Sequence, residues 1–163
     1  MTFPPYRFSR AAPSTTRPPL LRMHYNDSCM SKKATIFIDG ASRHNPGPAS
    51  VGVVIQRGKK VVDEFGKYIG ETTNNVAEYT ACIEALQRAE KIGFQEVEFF
   101  SDSELLVRQI NGQYSVKDAR LKLLMACLLQ AKGKFKKFSI HHIPREKNKR
   151  ADALANQALD ELQ

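Results

Sequence analysis

The order of strand-like and helix-like apolar patterns from residue 34 onward constrains the fold most. Three short β-type segments come first. The turns that join them contain Gly or Pro, which favours an antiparallel meander. The later segments alternate between helical and β-type patterns, and a strand that returns to its sheet through a helix lies parallel to its neighbour. The predicted order is β-β-β-α-β-α-α-β-α. The fold class is therefore α/β, with a mixed five-stranded sheet flanked by helices.

The boundaries of these segments follow from periodicity and turn residues. The predicted strands cover residues 34–39, 50–56, 61–69, 97–102 and 135–143. The predicted helices cover residues 74–93, 103–112, 118–133 and 148–162. Gly93 gives the first helix a C-terminal stop.

Residues 1–31 differ in composition from the rest of the chain, which is predicted to form one domain over 32–163. They hold five of the eight prolines, are rich in Arg and Ser, and lack hydrophobic periodicity. Such a composition predicts a disordered basic leader. Three interpretations stay open: an organellar transit peptide, a basic arm for nucleic acid, or a non-native stretch before Met30. We expect a cytoplasmic protein, or an organellar one if the leader is a transit peptide.

The net charge of +8 is concentrated in two places, residues 1–33 and 132–150. A basic segment beside acidic residues fits a polyanionic partner, although basic runs are also common on solvated surfaces. No apolar run approaches the ~20 residues that a membrane-spanning helix needs.

The chain has three cysteines at long spacings. An odd, widely spaced set indicates neither a disulfide framework nor a zinc site. Cys82 and Cys127 lie among apolar residues of predicted helices, so we expect both to be small core residues.

Four acids occupy comparable places at the ends of strands and the starts of helices. Asp39 ends the first predicted strand, Glu78 falls in the first turn of the first helix, Asp102 ends the fourth strand, and Asp152 lies near the start of the last helix. Each also has an ordinary local interpretation: a turn residue, a capping box with Asn75, a helix N-cap, and a charge at the positive end of a helix.

Taken together, the four acids indicate a metal site. Strand ends and the starts of packed helices converge at one edge of a sheet, where four carboxylates repel each other strongly. Divalent cations relieve that repulsion, and oxygen ligands without a Cys/His cluster favour Mg²⁺ or Mn²⁺. Two such ions about 3.5–4 Å apart activate a water and stabilise a leaving oxygen in phosphodiester cleavage.

Motifs in the same region resemble the type 1 ribonuclease H family over residues 34–160. The matching pieces, in the family's order, are DGASRHNPGPASVGVVI, TTNNVAEYTACIEAL, SDSELLVRQINGQYSVK and NKRADALAN. The resemblance implies an endoribonuclease that cleaves the RNA strand of RNA–DNA hybrids, leaving 5′-phosphate and 3′-hydroxyl ends. It also implies that Asp39, Glu78, Asp102 and Asp152 hold two Mg²⁺ or Mn²⁺ ions.

The resemblance further implies that polar residues near these acids contact the hybrid. The implied substrate-binding residues are Gly40, Ser42, Asn45, Thr73, Asn74 and Asn75. Amide and hydroxyl groups suit the sugar edges of a minor groove, where the 2′-OH distinguishes RNA from DNA.

The chain departs from many family members in three ways. It lacks a long basic protrusion between the middle helices. It therefore resembles the compact subtype, in which other basic residues have to bind the substrate. Many family members carry a mobile His in the loop before the last Asp, where it assists product release. That loop has no His here, so we expect Arg145 or Glu146 to take this role, with Arg145 favoured, and we expect His141 and His142 to be structural strand residues. No separate hybrid-binding domain is evident. The candidate grip residues are Lys132, Lys134, Lys136, Lys137, Lys147, Lys149 and Arg150.

The expected partner is an RNA–DNA hybrid, with no membrane, no obligate protein partner and a monomeric state. Two alternatives remain at this point. One is an integrase-like polynucleotidyl transferase of the same fold, and the other is a catalytically silent hybrid-binding module. The polar runs suited to RNA argue against the first, and the retention of all four acids argues against the second.

Overall fold

The computed structural model describes residues 32–161, so the predicted leader lies outside the described residues. The strands are β1 (Lys33–Ser42), β2 (Gly47–Arg57), β3 (Lys60–Thr72), β4 (Glu96–Ser101) and β5 (Lys137–His142). The helices are α1 (Asn74–Ile92), α2 (Glu104–Ile110), α3 (Ala119–Lys132) and α4 (Lys149–Asp160), with a short 3-10 turn at Arg145–Lys147.

The five strands form one mixed sheet in the order β3-β2-β1-β4-β5. The first three strands pair antiparallel, whereas β4 pairs parallel with both β1 and β5. This arrangement confirms the α/β class and the mixed five-stranded sheet. A tight turn at Gly58, whose φ of 62° suits glycine, reverses the chain between β2 and β3.

Helices α1 and α4 pack on opposite faces of this sheet. Neighbouring residues of a strand point to opposite faces. A Cβ on Gly40 would meet the backbone of α1, whereas a Cβ on Gly52, which pairs with Asp39, would meet the backbone of α4. The sheet therefore lies between the two helices that carry Glu78 and Asp152.

The observed helix caps exclude two of the ordinary local interpretations of the acids. Thr73, rather than Asn75, is the N-cap of α1, and Glu78 is the fifth residue of that helix, beyond its first turn. The alternative interpretation of Glu78 as the capping-box partner of Asn75 is therefore excluded. Ser103, rather than Asp102, caps α2 through its hydroxyl. Gly93 ends α1 with a φ of 92°, as predicted.

The two described cysteines differ in exposure. Cys82 is buried in the core, as predicted, but Cys127 is exposed, so its prediction as a core residue is wrong. Helix α3 buries only Leu121 and Leu128 fully, and Leu123 on the same helix is 70% exposed. A helix that is apolar on several faces gives no pattern from which the covered face can be read. Among residues 32–161, no helix is long and apolar enough to cross a membrane.

Candidate active site

Three carboxylates converge where the ends of β1 and β4 meet the start of α1. Asp39, Glu78 and Asp102 each offer an oxygen, and these oxygens all lie within 4.8 Å of one another. Asp39 is 6% exposed and Glu78 is 5% exposed. The parallel pairing of β1 with β4 brings Asp39 and Asp102 to the same edge of the sheet.

Gly40 makes this convergence possible. A Cβ at this position would lie 2.3 Å from the backbone nitrogen of Glu78, which is far inside van der Waals contact. Only glycine allows β1 and α1 to approach so closely. The predicted site residue Gly40 therefore acts through its missing side chain.

Burial and mutual repulsion both disfavour negative charge at this site. Burial and, to a smaller extent, the carboxylates of Asp102 and Asp152 together raise the pKa of Asp39 to about 7. Burial also raises the pKa of Glu78 well above its ordinary value, with a further contribution from Asp39. The Glu78 Oε2 atom is buried and has no hydrogen-bond partner in the described part of the chain. These features fit a divalent cation, which supplies the missing positive charge and prefers oxygen ligands.

Asp152 lies beside this cluster rather than within it. Its Oδ1 atom accepts a hydrogen bond of 2.7 Å from the Arg145 guanidinium. Both residues line a cavity of about 390 Å³ together with the three clustered acids. Arg145, predicted as an auxiliary residue, is thus close to the acids. Glu146 is exposed and does not line this cavity.

The predicted substrate-binding residues fall into two adjacent groups. Gly40, Ser42 and Asn74 line the cavity that contains the acids. Asn45, Thr73 and Asn75 line a neighbouring cavity of about 270 Å³. The side-chain oxygen of Asn45 accepts a hydrogen bond of 2.8 Å from the backbone N–H of Asn74, which links the two groups.

Comparison with known proteins identifies the family. A family model described as reverse transcriptase-like matches residues 37–158. Ribonuclease HI of Halobacterium salinarum is 45% identical over 126 residues, which cover 77% of this chain and 63% of that protein. The chain belongs to the ribonuclease H family.

Solved structures agree with this assignment. The crystal structure of RNase H1 from Halobacterium salinarum is 44% identical, with a TM-score of 0.78, and the match covers 79% of this chain and 98% of that one. LC11-RNase H1 in complex with an RNA/DNA hybrid is 46% identical, with a TM-score of 0.76 and the same coverage. The chain spans 63% of the length of the curated Halobacterium relative and 36% of a bifunctional Mycobacterium tuberculosis relative.

The basic residues predicted to grip substrate are mostly far from the acids of this ribonuclease H domain. Lys137 pairs in register with Glu96, at the start of β4, so it lies at the end of the sheet opposite Asp102. Lys132, Lys134 and Lys136 precede it along the chain. Lys134 and Lys137 also form ion pairs with acids of the domain itself.

The basic residues near α4 lie closer to the site. Arg150 forms an ion pair with Glu64. Lys147 lines a third cavity, of about 380 Å³, that also includes Arg150 and Asn148. Lys149 begins α4 and is exposed.

Sequence reasoning missed two residues that lie beside the candidate site. Asn148 is 1% exposed and donates a hydrogen bond of 2.9 Å to Asp102 Oδ1. An Asn directly before a helix has the sequence signature of an N-cap, which hides this role. Arg120 lines the cavity that contains Thr73 and Asn75. Arg120 is the second residue of α3, and no sequence signal separates it from other surface arginines.

Proposed function

We propose that this chain is an endoribonuclease that hydrolyses the RNA strand of RNA–DNA hybrids and leaves 5′-phosphate and 3′-hydroxyl ends. The observation that carries the proposal is the convergence of Asp39, Glu78 and Asp102 within 4.8 Å. Asp152 lines the same cavity. The hybrid bound to the related LC11-RNase H1 supports the substrate class.

The proposed cofactor is a pair of Mg²⁺ or Mn²⁺ ions held by the four acids. When bound, two such ions activate a water and stabilise the leaving 3′ oxygen of the RNA. The chain itself provides oxygen ligands at fixed positions. The buried Oε2 of Glu78, which has no hydrogen-bond partner among residues 32–161, is an atom that a cation would satisfy.

The polar residues beside the acids are proposed to select and orient the hybrid. Ser42 and Asn74 border the acids themselves. Asn45, Thr73 and Asn75 border the adjoining cavity. Hydroxyl and amide groups of this kind can donate to and accept from sugar 2′-OH groups, which only the RNA strand carries. Arg145 is proposed as the auxiliary residue, because its guanidinium adds positive charge beside the cavity, where a phosphate enters.

The first test is cleavage of an end-labelled RNA–DNA hybrid with Mg²⁺ or Mn²⁺, alongside single-stranded RNA, duplex DNA and duplex RNA. Asp102→Asn and Asp152→Asn should each reduce hybrid cleavage by about a hundredfold or more, since loss of residues that merely support a metal site already costs ~10–100-fold. Asp63→Asn is the matched control for Asp152→Asn. Both carboxylates pair with an arginine, and both side chains are 27% exposed.

Several outcomes would contradict the proposal. Folded wild-type protein that cuts no hybrid with either ion, but retains it in EDTA, would be a binding module. Cleavage of the DNA strand would favour the integrase-like alternative. Equal losses in Asp152→Asn and Asp63→Asn would remove Asp152 from the site.

A further inference from the structure

Asn148 is a buried residue at the junction of three elements, and the proposed function gives it no role. Its side-chain amide donates a hydrogen bond of 2.9 Å to the Ile38 carbonyl oxygen of β1, and another of 2.9 Å to Asp102 Oδ1. Its own carbonyl oxygen accepts a hydrogen bond of 3.1 Å from the Asp152 N–H. Asn148 therefore contacts the residue before Asp39, the carboxylate of Asp102 and the backbone of Asp152.

The chemistry of the side chain fits this place in a specific way. A backbone carbonyl and a carboxylate both accept hydrogen bonds, so a primary amide serves them with its two N–H donors. The remaining amide oxygen, Asn148 Oδ1, is buried and has no hydrogen-bond partner among residues 32–161. Burying a polar atom without a partner destabilises a fold. In Asn148, both N–H donors of the amide are therefore used, while its buried oxygen makes no hydrogen bond among residues 32–161.

Helix capping does not account for this side chain. Asn148 occupies the N-cap position of α4, yet its side chain makes no capping hydrogen bond to that helix. The amide is directed toward the sheet and toward Asp102 instead.

We infer that Asn148 is a positioning residue that fixes the orientation of the Asp102 carboxylate relative to Asp39, and so preorganises the cation site. The inference rests on the proposed function for the reaction that this site serves. A carboxylate has about four acceptor positions, so a single hydrogen bond from Asn148 leaves others free for a cation. Residues that hold metal ligands in this way set both metal affinity and activity.

The test compares Asn148→Ala with Ser50→Ala. Ser50 is the matched control because it is also buried and also ties the sheet to α4, through a hydrogen bond of 2.5 Å from its hydroxyl to the Ala155 carbonyl, without touching an acid. Mn²⁺ affinity is measured by calorimetry without nucleic acid, stability by urea denaturation, and kcat and KM on the hybrid.

We expect Asn148→Ala to bind Mn²⁺ about 10–100-fold more weakly than wild type. Ser50→Ala should keep its Mn²⁺ affinity within about twofold while losing stability, because removal of a buried hydrogen bond affects the fold but not the ligands. The kcat of Asn148→Ala should fall more than its KM rises, and added Mn²⁺ should recover part of the kcat. A merely structural role would leave Mn²⁺ affinity unchanged in protein that is still folded.

Asn148→Ser provides a second variant, since serine keeps one donor and still favours a helix start. Wild-type Mn²⁺ affinity in either folded Asn148 variant, or an equal loss in Ser50→Ala, would overturn the inference. Failure of both Asn148 variants to fold, with Ser50→Ala folded, would make the role structural and would also overturn it. Absence of Mn²⁺ binding in the wild type would do the same.

The two proposals can fail separately. Wild-type protein that binds Mn²⁺ in an Asn148-dependent manner but leaves hybrids intact would overturn the proposed function and keep the inference. Wild-type protein that cuts hybrids, with unchanged Mn²⁺ affinity in Asn148→Ala, would overturn the inference and keep the proposed function.

Discussion

Asp39 illustrates how single residues carry the electrostatics of this site. It lies in a buried strand, 6% exposed, and two other carboxylates raise its pKa in addition to burial. The guanidinium of Arg145 acts in the opposite direction and lowers the pKa of Asp39. The fold therefore holds an acid in a place that favours its neutral form unless a cation is present.

This conflict predicts a pH dependence of stability in EDTA. The pKa of Asp39 rises from an ordinary value of 3.8 to about 7, so between these pH values the folded chain binds a proton that the unfolded chain has lost. The free energy of unfolding should therefore fall as pH rises from about 4 to 7, by at most ~1.4 kcal/mol per pH unit for one proton. Below the lower value both states are protonated, and the effect vanishes.

Urea denaturation of wild type and Asp39→Asn at pH 4, 5, 6 and 7 measures this effect. The variant should become more stable relative to wild type as pH rises, and Mg²⁺ should reduce the difference by stabilising the charged wild-type site. Parallel pH profiles of the two proteins in EDTA would contradict the prediction.

Arg145 gives a second prediction, because its guanidinium competes with a cation for Asp152. Arg145→Ala should bind Mn²⁺ more tightly than wild type, by a few-fold at most, since exposed ion pairs contribute only about 0–1 kcal/mol. Arg88→Ala is the control, because Arg88 pairs with Asp63 instead. Calorimetric titration with Mn²⁺ checks the result, and weaker binding in Arg145→Ala would contradict it.

Whole elements set the distances between these residues, and glycines of the sheet decide how closely the helices approach. A Cβ on Gly52 would lie 2.0 Å from the Ala151 carbonyl oxygen of α4, as a Cβ on Gly40 would clash with α1. Three of the four buried residues of α4 have small side chains, namely Ala151, Ala155 and Ala158. Both helices that carry an acid thus rest directly on sheet backbone.

Gly40→Ala should destabilise the fold by about 1–3 kcal/mol, as expected when extra volume is forced into a packed region. It should also weaken Mn²⁺ binding, because β1 and α1 must separate and move Asp39 away from Glu78. Gly133→Ala is the control, since its φ of −61° is helical and a Cβ there would make only ordinary contacts of 3.4 Å or more. It should stabilise by about 0.4–1 kcal/mol.

Thermal or urea unfolding of the two glycine variants, followed by Mn²⁺ titration, tests this prediction. Unchanged stability and Mn²⁺ affinity in Gly40→Ala would mean that the two elements can separate without affecting the site.

For the strands and helices, the sequence predicted their existence and order better than their ends and their exposed faces. Strands and helices follow from periodicity, which is local, and the crossover rule then sets strand direction. The N-cap at Thr73 was missed because Asn75 has an equally good capping side chain. The exposure of Cys127 was missed because burial depends on which neighbour covers a helix, and no local pattern encodes that.

The molecule as a whole brings together acids from four separate parts of the chain. Their positions at strand ends and helix starts were sufficient to predict that Asp39, Glu78 and Asp102 meet. The position of Asp152 against Arg145, and the contacts of Asn148, depend on the path of the 3-10 turn at Arg145–Lys147, which was not predicted. Such details arise from the packing of residues distant in sequence, so local patterns do not reveal them.

The described residues contain every candidate site residue, which gives a prediction about the leader. A chain that begins at Met30 should keep hybrid cleavage within about twofold of the full chain at equal Mg²⁺, because removal of residues 1–29 takes away none of the acids or polar site residues. The assay is the same end-labelled hybrid cleavage, run at several salt concentrations because basic segments strengthen nucleic-acid binding mainly at low salt. A loss of kcat at high salt would contradict the prediction.

The position of α4 after the other elements of the domain has a consequence for synthesis. This helix brings Asp152 and follows directly on Asn148, which contacts Asp102. The strands β1 to β4 and helix α1 precede α4 in the chain and leave the ribosome before it, while the acid set still lacks Asp152. Under the proposed function, a nascent chain therefore cannot cut nucleic acid around the translating ribosome until α4 has docked on the sheet.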